Sequence, residues 1–408
     1  MKQKRILVIS AVPSHPQNQG NRRRIYNMLS SLKNLGNHIT FVYFRQPLVD
    51  SIPEKKYFKE MKECWDEFYA VPLDSKKSIK FRDRKSVIFI RDLVQRHFPR
   101  IYYRLKAAFF KRPNFIPLDG LHCITLDKFI KDLLKKKKFD AVLVQYIFIS
   151  KVLDCFDSKI TKIIDAHDVF TDKHKSIIKE FKTYGWISAT REEEARALSR
   201  ADTVIAIQDK EKEFFSKLIS KKIVTIGHLV PEINRIKPLL GKKRILFVGS
   251  ENDPNVHGIR YFIKEVFPKV KAKFPDARLL LAGKVCNVIG SGEAIKLGEL
   301  KDIDLAYDIA DVVISPMLIG TGLKIKNIEA LSYCKPLITT SFCAKELGKE
   351  AKNAFLTADT PEEFVNAITK IFSSQKLAAK LSRKAHDFMK KYNAGNLKTL
   401  KEIFDLKK

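Results

Sequence analysis

The chain has no Cys-x-x-Cys pair and no histidine–cysteine cluster at metal-ligand spacing. Its six cysteines, Cys64, Cys123, Cys155, Cys286, Cys334 and Cys343, are scattered over 408 residues. That spacing excludes a disulfide framework and a structural zinc site, and the thiols are read as reduced. No run approaches the roughly 20 apolar residues that span a bilayer. The apolar run from Ile6 to Val12 is too short for a signal peptide and lacks its small-residue cleavage pattern, so it is read as a first strand. Gly-x-Gly-x-x-Gly is absent, which excludes the dinucleotide fingerprint. No Asp-x-Asp stands in a loop suited to a metal. RNP, KH and helix-turn-helix patterns are missing as well. There are no repeats with periods of about 20–50 residues, and no low-complexity tract beyond Lys135 to Lys138.

Acidic residues are scarce too. Asp and Glu number 46 against 77 Lys and Arg, for a formal net charge of +31. A surplus of that size points to acidic small molecules, an anionic lipid surface or nucleic acid, without choosing among them. The length, with 45% hydrophobic residues, suggests two domains with separate cores.

What is present is α/β patterning, started twice. Residues 5–12 read as an apolar strand and 13–20 as a turn-rich loop. Ile25, Met28, Leu29 and Leu32 then fall at helical spacing, Gly36 closes the helix, and 39–44 read as a second strand. In a doubly wound domain that first loop lies at the carboxyl end of the sheet, where ligands bind. Further strands are read at 140–145, 162–166 and 201–207, with a long charged helix or helix pair over 173–200. Residues 226–243 hold glycine, proline and lysine without periodicity and supply a linker. A second series restarts with a strand at 244–249, turn and N-cap signals at 252–256, a helix over 259–273 and a strand at 278–282. Residues 378–404 read as mostly helical. The expected domains are 1–230, a linker at 231–243, 244–390, and a closing helix at 391–408 that packs on the first domain.

Residues 310–316 read as a buried parallel strand, and a helix is expected over 328–333. Between them stand Gly320, Thr321, Gly322, Lys324 and Lys326, followed by Glu329. Glycines let a backbone approach a ligand closely, and the first-turn N–H groups of a helix favour an anion. Two lysines add positive charge and Glu329 adds an acceptor. The glycines alone fit a left-handed turn followed by solvated lysines; the combination at a strand-to-helix junction predicts a phosphate site. Residues 78–115 are different in kind. Arg91, Arg96, Arg100 and Arg104 interleave there with Phe98 and Tyr102, partly at helical spacing and interrupted by Pro99. Such a segment suits an anionic membrane surface, or else a helix pair covering the sheet with its arginines outward.

The stretch from Gly320 resembles the nucleotide-sugar site of GT-B-type glycosyltransferases of the retaining group 1 (family-4-like) family, whose pattern runs roughly G-x-G-x-[KR]-x-K-x-[LI]-E-A. Residues 331–340 are similar to that family's A-x-G-K-P-V-V-T-T strand entry, and 298–311 look like its G-x-v-x-D … y-x-x-A-D segment. Gly20, Asn21 and Arg22 are similar to its G-G/G-N-R loop, with Arg23 and Arg24 read either with that loop or as solvated helix residues. Asp165-Ala166-His167-Asp168 looks like its D-x-H-D segment. The resemblance is dense from about 244 to 345 and looser elsewhere.

The resemblance implies an α/β GT-B architecture: two Rossmann-like, doubly wound parallel-sheet domains facing a central cleft, with the C-terminal helix crossing back. It implies that Gly320, Thr321, Gly322, Lys324 and Lys326 hold a diphosphate and that Glu329 binds ribose hydroxyls. Gly20, Asn21, Arg22, Gly249 and Lys284 complete the donor side. His167 would bond a sugar hydroxyl or assist the reaction, oriented by Asp168. The bland reading of the pair is a strand cap and a helix N-cap. Two departures stand out. Thr321 occupies the place, eight residues before Glu329, where the family usually has Glu, and Gly249-Ser250 stands where Gly-Arg is usual. Lys284, or Lys324 and Lys326, would replace that arginine. With no acidic metal motif, the diphosphate charge falls to lysine, arginine and helix N–H groups. No metal and no cofactor are expected beside the nucleoside-diphosphate sugar. The expectation is a cytoplasmic enzyme, peripheral on the inner face of the membrane, that transfers a sugar with retention to a saccharide or lipid-linked acceptor in cell-surface polysaccharide or glycoconjugate synthesis; nucleic acid is not an expected partner. The alternatives are a GT-B nucleotide-sugar epimerase and a non-catalytic scaffold binding anionic lipid or RNA through 78–115.

Overall fold

The computed structural model describes residues 3–45, 55–71, 118–173, 175, 188–230, 236, 241–290, 292, 294–300, 302–319 and 322–405. The basic segment 78–115, with Arg91, Arg96, Phe98, Arg100, Tyr102 and Arg104, lies outside the described residues, as do Gly320 and Thr321. The chain forms two compact units. One is built on Met1–Pro13 and Gly36–Val224, the other on Ser14–Leu35 and Thr225–Leu406. Helix α1 (Gly20–Asn34) therefore belongs with the second unit.

In the first unit, β1 (Arg5–Ser10), β2 (His38–Phe44), β3 (Glu67–Val71), β4 (Ala141–Gln145), β5 (Thr161–Asp165), β6 (Thr203–Ala206) and β7 (Lys222–Thr225) form one sheet in the order β3-β2-β1-β4-β5-β6-β7. The pairings of β1 to β2 and β4, and of β4 to β5, are parallel. Ile6, Leu7, Val8 and Ile9 are all fully buried, because helices cover both faces of a parallel sheet and its central strand reads as a continuous apolar run. Helices α2 (Lys55–Cys64), α3 (Ile124–Lys136), α4 (Arg191–Leu198) and α5 (Asp209–Ser216) accompany the strands. Helix α4 starts where it does because Thr190 and Glu193 form a reciprocal capping box.

In the second unit, β8 (Arg244–Val248), β9 (Arg278–Ala282), β10 (Ile295–Gly298), β11 (Val312–Ser315), β12 (Leu337–Thr339) and β13 (Leu356–Thr357) follow the order β10-β9-β8-β11-β12-β13. Its longer helices are α6 (Asp253–Tyr261), α7 (Phe267–Lys273), α8 (Asp304–Ile309), α9 (Ile325–Ser332), α10 (Pro361–Ser373) and α11 (Gln375–Asp405), with a single turn at Ser341–Ala344. The winding reverses between β1 and β4 and again between β8 and β11, and at such switch points the carboxyl ends of the strands open a crevice.

Three boundaries differ from the sequence reading. Helix α6 begins at Asp253 rather than 259, because the Asn252 side chain accepts from the Asn255 N–H at 3.1 Å and Pro254 costs nothing in a first turn. A π turn (Phe262–Val266) then precedes α7, where Pro268 lacks an N–H for the regular ladder. Helix α9 begins at Ile325 rather than 328, which puts Lys326 in its first turn. The stretch read as the start of the linker is packed: Ile226, His228, Leu229 and Val230 are buried. Arg24 and Asn27 of α1 donate to their carbonyls, and Tyr392, Asn393 and Asn396 of α11 accept from their N–H groups. No helix among the described residues is long and apolar enough to cross a membrane.

Candidate functional site

In the second unit, β8 and β9 bring Gly249 and Gly283 into direct contact. Gly283 has φ +92°, and a side-chain carbon there would stand 2.5 Å from the Gly249 carbonyl oxygen, so only glycine fits. That carbonyl accepts the Val285 N–H at 3.1 Å, inside the Lys284–Asn287 turn that carries Lys284. Asn255 of α6 sits beside them. Its Nδ2 donates to Ser250 O at 3.1 Å and Oγ at 2.9 Å, and its Oδ1 accepts from Lys326 Nζ. Lys326 Nζ also lies 3.2 Å from Met317 Sδ and 4.5 Å from the centroid of the Phe247 ring. Gly249, Ser250 and Lys326 thus meet around Asn255.

The lysines are not solvated side chains. Lys326 keeps partial exposure as a residue, but its ammonium is enclosed. Burial is the largest cause that lowers its pKa from 10.5 to about 7, and the charge of Lys324 pushes the same way. Lys324 is 7% exposed; its Nζ donates to Glu346 Oε1 at 3.0 Å and to Gly322 O at 2.8 Å. The Lys324 backbone N–H donates to Glu346 Oε2 at 3.0 Å, so a carboxylate lies at the N-terminus of α9, where the helix dipole favours one.

Helix α1 brings its own N-terminus to the same place. A side-chain carbon on Gly20 would stand 3.2 Å from Ile325 Cδ1, so the first residues of α1 and α9 abut. Before them, Asn18 donates to Glu299 at 2.7 Å. Asn21 Oδ1 accepts the Arg22 N–H at 2.9 Å, and the Arg22 side chain is buried. One turn on, Arg23 Nη1 donates to Glu329 Oε1 at 2.9 Å. The charge of Glu329 raises the Arg23 pKa against the cost of burial. Tyr307 lies buried by this pair, its phenol pushed far up by burial and then by Glu329, and its ring stacks on Tyr333 at 4.1 Å. His228 Nε2 is 4.0 Å from Glu329 Oε1. Burial, with Arg24 and Arg23 nearby, lowers its pKa well below 6.5 and keeps it neutral. Arg23 and Arg24 are therefore working parts of the packing, and the reading of them as solvated is corrected: Arg24 is 1% exposed.

The first unit carries a separate constellation. His167, 7% exposed and at φ +63°, follows the end of β5. Its Nε2 lies 2.6 Å from Gln145 Oε1 and 3.3 Å from Asp165 Oδ2. The Tyr146 ring stacks on the imidazole, with centroids 3.9 Å apart and planes at 11°. Asp168 caps its own turn through the Val169 N–H at 3.0 Å and pairs with Lys173. It is Asp165, rather than Asp168, that lies beside the ring. Glu194 of α4, fully buried, accepts from the Phe170 and Thr171 N–H groups at 2.9 and 2.6 Å and pins the following loop. Burial raises its pKa.

The structure thus gathers Gly20, Asn21, Arg22, Gly249, Lys284, Gly322, Lys324, Lys326 and Glu329 in the second unit, and His167 with Asp168 in the first. Sequence reading missed Tyr146, Gln145, Asn255 and Glu346. Asn255 lay within the 252–256 turn and cap stretch, and only their position at the end of a predicted strand marked Gln145 and Tyr146.

Residues 242–374 match the family model described as Glycosyl transferases group 1. A Klebsiella pneumoniae protein, described as an uncharacterized 44.6 kDa protein in the cps region, is 24% identical over 373 residues, 84% of each chain. The structure is similar to that of S. aureus TarM in complex with fondaparinux, alpha-GlcNAc-glycerol and UDP, at a TM-score of 0.67 and 12% identity over 99% of this chain and 100% of that one. It is also similar to the pneumococcal O-GlcNAc transferase GtfA in complex with UDP and GlcNAc, at a TM-score of 0.64 and 11% identity over 100% of both chains. Residues 242–374 thus match a group 1 glycosyl transferase domain, and the fold is that of the GT-B glycosyltransferases.

Proposed function

We propose that this chain transfers a sugar from a nucleoside-diphosphate sugar to a saccharide or lipid-linked acceptor, with retention, in the synthesis of cell-surface polysaccharide. The observation that carries the reading is the abutment of α1 and α9 at Gly20 and Ile325, with Lys326 and the Arg23–Glu329 pair within one turn of it. In the transfer, the bond from the anomeric carbon to the diphosphate oxygen breaks and one to the acceptor oxygen forms. The acceptor hydroxyl gives up its proton. Negative charge grows on the departing diphosphate, so fixed positive groups aimed at it stabilise the transition state more than the ground state.

Two helix N-termini, Lys324, Lys326 and Lys284 supply that charge, with Gly249 and Gly322 allowing close approach of the backbone. Glu329, held by Arg23, accepts ribose hydroxyls, while Gly20, Asn21 and Arg22 close on the donor. His167 serves the sugar, and Asp168 orders the loop beside it. In this reading the diphosphate is neutralised without a metal, and turnover in excess EDTA matches turnover without it. The cps-region relative supports a polysaccharide role, and the two UDP complexes among the similar structures make UDP the first base to try. The net charge of +31 supports peripheral attachment to an anionic, cytoplasmic membrane face.

The test is ligand-observed NMR with UDP, GDP and ADP on wild type and Glu329→Ala. Binding of one nucleotide, weakened by the substitution, is the expected result. A folded wild type that binds none of the three overturns the reading.

A further inference from the structure

We propose that Tyr146 is a positioning residue that fixes the imidazole of His167 in one plane for the transfer step, an inference that rests on His167 meeting the sugar. Strands β4 and β5 are neighbours in register, with Gln145 opposite Asp165. Each is followed by a residue in the left-handed half of backbone space: Tyr146 at φ 68°, ψ 154°, and His167 at φ 63°. The Tyr146 conformation is one that glycine adopts freely and other residues hold at a cost of about 1–3 kcal/mol. A glycine would carry this backbone without that cost; what it would lack is the ring.

The ring has a definite task. The Tyr146 N–H donates to the Asp165 carbonyl at 2.9 Å, which pins the two strand ends together. The phenol ring then lies 3.9 Å from the imidazole and 11° from parallel. Phe148 stacks on Tyr146 at 5.3 Å, and Phe170 meets it edge-on at 6.2 Å, so the tyrosine is itself held in place. At His167 Nε2 both neighbours, Gln145 Oε1 and the Asp165 carboxylate, are acceptors. A proton on Nε2 serves both neighbours. A flat neighbour at stacking distance keeps the imidazole from tilting out of its plane. Misplacement of a reacting group by about 1 Å costs on the order of 100-fold in rate.

The experiment uses the full chain with labelled histidine, His167 being assigned from the signal lost in His167→Gln. In Tyr146→Gly and Tyr146→Ala the His167 ring signals lose their upfield ring-current displacement; in Tyr146→Phe it remains. With sugar donor and acceptor, kcat falls about 100-fold in the Gly and Ala variants while the donor KM holds, and Phe restores it. A merely structural residue would lower the melting temperature and leave kcat per folded molecule intact. Wild-type kcat in a folded Tyr146→Gly, or unchanged His167 signals in it, overturns the proposal. If the wild type transfers no sugar, it is the functional reading that falls, and the ring signals still decide whether Tyr146 holds His167.

Discussion

The carboxyl ends of the two sheets share a topology and differ in almost every side chain. At the first, the order β3-β2-β1-β4-β5-β6 ends in a compact aromatic stack, with its charges paired internally and two residues held at positive φ. At the second, the matching order β10-β9-β8-β11-β12-β13 ends in two helix N-termini and a set of basic groups engaged by amides and carboxylates. The winding supplies the crevice in both cases, and the residues loaded onto the strand ends decide its chemistry. One end is built to hold a ring in place. The other gathers cations and helix N-termini, the groups that suit an anion.

Lys326→Ala strikes the cationic end hardest. Turnover falls about 10²–10³-fold, as for loss of one transition-state donor, while the His167 ring signals stay as in the wild type. The lowered pKa of Lys326 sharpens the test. At pH 8.5 a lysine with a pKa of about 7 is mostly neutral, and an arriving diphosphate restores its charge, so binding takes up a proton. Calorimetry in two buffers of different ionisation enthalpy reads that uptake, which vanishes in Lys326→Ala. Stability has the matching sign. Between about 7 and 10.5 the unfolded chain holds the proton that the folded one lacks at this site, so the contribution of Lys326 to stability rises with pH across that window. In Lys326→Met the rise disappears. Uptake that persists without Lys326 would move the phosphate charge to another group.

The next effect is on stability. Arg23→Ala leaves the Glu329 carboxylate, 10% exposed, without its ion pair, and costs about 3 kcal/mol in denaturant melts. Glu329→Gln costs less, and adding it to Arg23→Ala recovers part of the loss, a coupling that a double-mutant cycle measures. A cycle with no coupling would mean that the pair does not tie α1 to α9. Asn255→Asp is smaller again. A carboxylate beside Lys326 keeps the lysine charged but opposes an incoming anion, so nucleotide affinity drops about tenfold, near 1.4 kcal/mol, and proton uptake on binding shrinks with it.

Much of this was legible in the sequence, for a physical reason. Fully buried parallel strands write themselves as apolar runs, so β1, β4, β8 and β11 stood out, and the glycine–lysine stretch before α9 marked the cationic end. Pairings set by tertiary contact did not stand out. Arg23 reads as one more basic residue on a helix until Glu329, 306 residues away, is placed beside it. Tyr146 reads as the end of a strand until its backbone angles are known. The start of α6 moved because Asn252 and Pro254 act locally at the cap, one turn before the apolar periodicity becomes visible.

The smallest expected effect tests whether the two ends are as local as described. Thr360 and Glu363 cap α10 reciprocally, with Pro361 in the first turn. The hydroxyl accepts the Glu363 N–H at 3.2 Å, and both donors and acceptors of the box lie on the surface. Thr360→Ala removes that acceptor and costs about 1 kcal/mol, readable as a lower denaturation midpoint at unchanged slope. The helix touches neither Lys326 nor Glu329 through any hydrogen bond or ion pair among the described residues. Nucleotide affinity therefore stays at the wild-type value in the folded variant. A parallel loss of affinity would show that the cationic end draws on the stability of the whole unit, and its contrast with the strained aromatic end would then be one of degree.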